Sequence, residues 1–152
     1  MPEEMTILLV EDNDLDIELF KRGLKRFGIS HPLVIARDGE EALRILDVNL
    51  NEQTIAHPFV VLLDINMPRM NGHEFLEAIR ASEEFKSLRV FVFTTSENKK
   101  DVDLAYQQNV SGYIVKPNSS AELVEVLRRL HEFWTLCEDP SAPAYGSCLG
   151  LS

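Results

Sequence analysis

Five short apolar runs punctuate the chain, at about 6–11, 32–36, 58–63, 89–94 and 112–116. They are rich in β-branched and aromatic residues, and their hydrophobic positions mostly follow one another without alternating. Strands buried on both faces of a parallel sheet have this pattern. The stretches between them repeat their apolar residues at helical spacing instead. Leu19, Phe20, Gly23, Leu24 and Phe27 form one face of a first helix. Ala42, Leu43, Ile45 and Leu46 mark a second, shorter one after the turn Arg37-Asp38-Gly39. Phe75, Leu76 and Ile79 mark a third, and a fourth is predicted over about 98–107. Ser119 or Ser120 can cap the fifth, with Glu122 in its first turn and Arg128-Arg129 towards its end, which suits the helix dipole.

Strand–helix alternation of this length implies an α/β sandwich with right-handed crossovers. Two stretches depart from it. Asp47 to His57 is predicted as a long polar surface loop, and the chain from Glu138 onward as a flexible tail. The last helix is wider in apolar surface than one sheet can cover. Leu123, Val124, Leu127, Leu130 and Trp134 form a core stripe, and Val126, Leu130 and Phe133 a second one beside it. A second stripe invites another partner.

Polar residues stand where four of the strands should end: Glu11-Asp12, Asp64, Thr94-Thr95 and Lys116-Pro117. Neighbouring parallel strands would gather them at one rim, where open α/β sheets bind ligands. Three carboxylates at close quarters either take up protons or hold a cation. Oxygen-only donors suit a hard divalent ion, and Mg²⁺ keeps several waters while using one or two carboxylates. A backbone carbonyl just past Asp64, at Asn66, can complete such a shell. Lys116 offers a point charge to a phosphoryl oxygen, and Thr94 a hydroxyl. Asp64 is then a candidate nucleophile that would form an aspartyl-phosphate.

Composition narrows the function classes. The chain has 152 residues, 45% hydrophobic and 26% charged, enough for one ordinary globular domain. Fifteen basic against 25 acidic residues give a net charge of −10, and no basic patch beyond short pairs is present, so a nucleic-acid partner is not expected. No stretch approaches the ~20 apolar residues of a membrane span. Cys137 and Cys148 lack metal-like spacing and read as free thiols, in keeping with a cytoplasmic location. The four histidines, His31, His57, His73 and His131, are scattered and read as surface or loop residues.

The string Leu8-Leu9-Val10-Glu11-Asp12-Asn13, then Leu63-Asp64-Ile65-Asn66-Met67-Pro68 with Gly72, then Thr94-Thr95-Ser96 and Gly112-Tyr113-Ile114-Val115-Lys116-Pro117, resembles the receiver domain of two-component response regulators. The likeness implies a flavodoxin-like fold of five parallel strands in the order 2-1-3-4-5, a receiver over 5–136 and a tail over 137–152. It implies phosphorylation of Asp64 by a sensor histidine kinase, the protein being a phosphoacceptor and not an enzyme in its own right. Mg²⁺ would be held by Asp12, Asp64 and the Asn66 carbonyl, with Glu11 acting through water. Lys116 and Thr94 would contact the phosphoryl group, and Thr94 with Tyr113 would form the switch that alters the face of the fourth helix, fifth strand and fifth helix. With no room for an output domain, the chain resembles a stand-alone receiver, similar to the small regulators of phytochrome-type histidine kinases. In that group the last helix supports homodimers, which makes Val126, Leu130, Phe133 and Trp134 the candidate interface.

Other readings fit less well. A haloacid-dehalogenase-type phosphohydrolase would need a second acid two residues after Asp64, where this chain has Asn66. A flavin carrier would need hydroxyls and glycines in the first loop, which is acidic here. A phosphorylation-independent binding module on a receiver fold remains the alternative.

Overall fold

The computed structural model describes residues 5–28, 30–55 and 59–138. In chain order the elements are β1 (Thr6–Val10), α1 (Asp14–Phe27), β2 (Leu33–Ala36), α2 (Gly39–Glu52), β3 (Phe59–Leu63), α3 (Gly72–Arg80), β4 (Val90–Thr94), α4 (Lys99–Gln107), β5 (Gly112–Val115) and α5 (Ser120–Leu136). The strands form one parallel sheet in the order β2-β1-β3-β4-β5, as expected.

The non-alternating runs have a simple cause, since each face of the sheet is covered. Leu8, Val10, Val61, Leu63, Val90 and Val92 point to a core closed by Ala42, Leu46, Phe75, Leu76, Ile79 and Ala105 of α2, α3 and α4. Ile7, Leu9, Val60, Leu62, Phe91 and Phe93 point to the other, closed by α1 and α5 through Ile17, Phe20, Leu24, Leu123, Leu127 and Leu130. Successive strand side chains thus enter opposite cores, and neither face can be polar.

Each helix begins on a capping side chain. Asn13, Asp38, Asn71, Asn98 and Ser119 accept a hydrogen bond from the backbone N–H two or three residues on. Four of these caps lie just past the C-terminal end of a strand or its short following loop, so the helix N-termini face the same rim as the strand ends.

Two expectations are corrected. The loop predicted over Asp47–His57 is half helix, because α2 continues to Glu52 before Gln53 turns left-handed at φ 51°. Its polar residues cover the solvent face of a helix whose other side buries Leu46, and Asn49 ends the segment by accepting the N–H of Ile55 at 2.7 Å. His57 and the tail from Asp139 lie outside the described residues. His31 is not a surface histidine. It is buried, accepts the Met5 N–H on Nδ1 at 3.0 Å, and meets His131 at 3.2 Å. Burial and the neighbouring His131 hold its pKa down.

Candidate functional site

The rim forms because β1, β3, β4 and β5 all end at one level. Glu11 directly follows β1, Asp64 follows β3, Thr94 closes β4 and Lys116 follows β5. Backbone bonds fix the register there: Asp64 N–H donates to Val10 O at 3.0 Å, and Lys116 N–H to Thr94 O at 2.7 Å.

Carboxylate oxygens of Glu11, Asp12 and Asp64 lie within 4.8 Å of one another. Glu11 and Asp64 are buried, and Asp12 is more open. Lys116, whose side chain is only 10% exposed, sits against them. Its Nζ lies 2.5 Å from Glu11 Oε1, 2.9 Å from Asp16 Oδ2 and 3.7 Å from Asp64 Oδ2. Burial opposes the ammonium, but hydrogen bonds to Glu11 and Asp16 and the charge of Asp64 outweigh it and raise the Lys116 pKa. These partners favour its cationic form. Burial also pushes the Glu11 carboxyl up to about 7; Lys116 pulls it down and Asp64 pushes it further up. Without another cation the cluster has more negative charge than one lysine neutralises. Such a donor set, all oxygen and short of positive charge, fits a hard divalent metal ion.

Asp64 is lightly engaged. Among the described residues no hydrogen bond to its carboxylate is found, and Lys116 at 3.7 Å is its nearest cation. Its main chain is held tightly by contrast. A Cβ on Gly72 would stand 2.6 Å from Asp64 O and 2.8 Å from Ile65 Cα, so only glycine lets α3 start this close to the strand end. Asn66 opens the loop between β3 and α3, with its side chain exposed.

Thr94 is fully buried at the end of β4. Two residues on, Ser96 O accepts a hydrogen bond from Tyr113 Oη at 2.9 Å. Tyr113 thus lies half-buried against the β4–α4 loop, with burial raising its pKa. The predicted switch pair therefore sits on adjacent strands and shares this loop.

Sequence reasoning missed two parts of the site. Asp16, in the first turn of α1, is a principal partner of Lys116; its place among the acids that follow β1 was the available signal. The second is a chain of contacts at the start of α4. Ser96 Oγ donates to Asp101 Oδ2 at 2.6 Å, and His73 Nε2 lies 3.0 Å from Asp101 Oδ1. Hydrogen bonds from Ser96 and His73 hold the Asp101 carboxyl below its usual range.

The residues proposed for a shared interface separate. Leu130 and Trp134 are spent on this chain's own core, whereas Phe133 is 49% exposed and Val126 is partly covered. Phe91 in β4 explains both, meeting Trp134 and Phe133 edge-on at 6.1 Å each.

Comparisons with known proteins agree with the geometry. A family model described as the response regulator receiver domain matches residues 7–128. The response regulator Rcp1 of Synechocystis sp. is 35% identical over 128 residues, covering 84% of this chain and 87% of that one. The phosphorylated cyanobacterial phytochrome response regulator RcpA superposes with a TM-score of 0.79 at 33% identity, covering 91% of this chain and 99% of that one. The Mn²⁺-bound form of Rcp1 gives 0.74 at 34% identity, covering 92% and 99%. No helix among the described residues is long and apolar enough to cross a membrane.

Proposed function

Since this chain belongs to the response regulator receiver family of two-component signalling, we propose that Asp64 accepts a phosphoryl group from the phosphohistidine of a sensor histidine kinase in a Mg²⁺-dependent reaction. The observation that carries this is the buried Asp64 carboxylate in a cluster with Glu11 and Asp12, 3.7 Å from a lysine that holds Glu11 and Asp16 more closely. Attack by an Asp64 oxygen forms the new P–O bond while the P–N bond to the kinase imidazole breaks, and the imidazole leaves with its electron pair. Position and charge neutralisation are what such a transfer asks of a protein.

Asp12, Asp64 and the Asn66 carbonyl would hold the metal, with Glu11 acting through water. Bound there, a divalent cation supplies the positive charge that lets phosphoryl oxygens enter an acidic site. Lys116 then exchanges a carboxylate partner for a phosphoryl oxygen. The Thr94 hydroxyl donates to another and shifts towards it. That shift loosens the β4–α4 loop, and Tyr113, whose Oη donates to Ser96 O, turns into the space. The result is a changed α4–β5–α5 face.

The partner is a kinase of the phytochrome type, in line with RcpA and Rcp1 as similar proteins. A homodimer through that face, centred on Phe133 and Val126 over the buried Leu130 and Trp134, completes the reading, together with a cytoplasmic location.

A phytochrome-type kinase autophosphorylated with labelled ATP tests the proposal. Label passing to the wild type but not to Asp64→Asn supports it. Equal labelling of both would move the acceptor elsewhere, and no transfer from any such kinase would favour a phosphorylation-independent binding module. Sedimentation of the wild type beside Phe133→Glu tests the dimer, which the charged variant should dissociate.

A further inference from the structure

The loop from Ile65 to Asn71 leaves the phosphoacceptor strand and carries Asn66, yet it contains no regular element of its own. Two tacks hold it. One is the close start of α3, where Gly72 N–H donates to Ile65 O at 2.9 Å. The other joins the far side of the loop to the turn between β2 and α2. Asp38, with a side chain 0% exposed, caps α2 by accepting Glu41 N–H at 2.8 Å and at the same time pairs with Arg69. Next to that pair, Gly39 N–H donates to Met70 O at 3.0 Å, and a Cβ on Gly39 would stand 2.6 Å from Met70 Cγ. Arg69 itself is held at φ 61°, a left-handed backbone that costs a non-glycine residue energy and persists only where its surroundings impose it. Its side chain is 64% exposed, so burial does not hold it there; it pairs with the buried Asp38 carboxylate and, at 3.9 Å, with the exposed Glu40.

We infer that Asp38 and Arg69 are positioning residues for the metal and acceptor loop, together forming a latch that fixes Asn66 relative to Asp12 and Asp64. The inference rests on the metal-assisted reading above. Neither residue touches the phosphoryl group or the metal ligands' own carboxylates. Their part is to remove the loop's freedom before the metal arrives, so that binding need not pay for ordering it.

Arg69→Gly separates positioning from folding, because glycine accepts the left-handed backbone while the latch is lost. Asp38→Asn keeps a competent cap and removes the charge. Mg²⁺ titration by calorimetry should show each variant binding about tenfold more weakly, the lower end of what outer partners of metal ligands contribute. The double variant should be no weaker than either single one, and Arg69→Lys should recover part of the loss. In metal-free protein, amide exchange at residues 66–72 should accelerate in Arg69→Gly while the central strands stay protected. At saturating Mg²⁺ the rate of labelling by acetyl phosphate should return towards wild type, since the variants alter loading and not the transfer. Wild-type Mg²⁺ binding with unchanged affinity and exchange in Arg69→Gly would overturn the latch alone. No Mg²⁺ binding by the wild type would overturn the metal-assisted reading and the latch with it.

Discussion

Adding one methyl group at Gly72 should disturb both folding and phosphoryl acceptance. The Cβ of Gly72→Ala would sit 2.6 Å from Asp64 O and 2.8 Å from Ile65 Cα, against 3.4 Å for an ordinary contact. Relief requires the start of α3 and the end of β3 to part by about 0.8 Å, the difference between those contacts. Both obstacles are backbone, so no side-chain rotation relieves them, and the Gly72 N–H to Ile65 O bond at 2.9 Å must lengthen as well. Overpacking of this kind costs about 1–3 kcal/mol, and a rigid double backbone contact belongs at the upper end. The displaced group is Asp64 itself, and a misplacement near 1 Å can cost up to about 10²-fold in rate, so a loss of at least about tenfold is expected. Urea unfolding gives the first quantity, and the time course of intact mass with Mg²⁺ and acetyl phosphate gives the second. A variant matching wild type in both would refute the claim that this contact positions the acceptor.

Three further outcomes follow from the electrostatics of the rim. Glu11 has a folded pKa of about 7, above its ordinary 4.5, so its contribution to metal-free stability is fully present below pH 4.5 and is lost as pH rises through 7. Its size is at most about 3 kcal/mol; Glu11→Gln should flatten that slope in urea unfolding, and Mg²⁺ binding near neutral pH should release protons and tighten as pH rises. Lys116→Ala should leave Mg²⁺ binding intact but lower metal-free stability by about 3 kcal/mol, the cost of stranding partly buried carboxylates, and should uncouple phosphorylation from any change in partner binding. Asp101→Ala should cost about 1–2 kcal/mol and speed amide exchange at residues 96–100 while the initial labelling rate of Asp64 holds, because it frees Ser96 and His73 without touching the acceptor.

What the sequence made legible was whatever a local pattern encodes. Strands such as Phe59–Leu63 announce themselves because both sheet faces are covered, and caps such as Ser119 because their side chains act within three residues. The acidic cluster was legible because strand ends in a parallel sheet share one rim, so Glu11, Asp12, Asp64 and Lys116 could be placed together without coordinates. Contacts between distant helix and loop positions were not. Asp38 meets Arg69 across 31 residues and His31 meets His131 across 100, and no periodicity relates either pair. The length of α2 escaped for a different reason. Asn49 and Asn51 disfavour helix as isolated residues, but the Asn49 side chain accepts the N–H of the buried Ile55 and ties the end of the helix to the chain beyond it. The second stripe of α5 overstated its free surface, since Leu130 is buried in this chain's own core and Phe91 meets Phe133 edge-on from the sheet side.

The central claim is that Asp64 accepts a phosphoryl group with the help of a metal held by its neighbours. Intact mass after incubation with acetyl phosphate tests it most directly, with Mg²⁺ or with EDTA, for wild type and Asp64→Asn side by side. One phosphoryl group should be gained by the wild type with Mg²⁺ and by none of the other three samples. A gain in Asp64→Asn, or one in the wild type that EDTA leaves untouched, would contradict it.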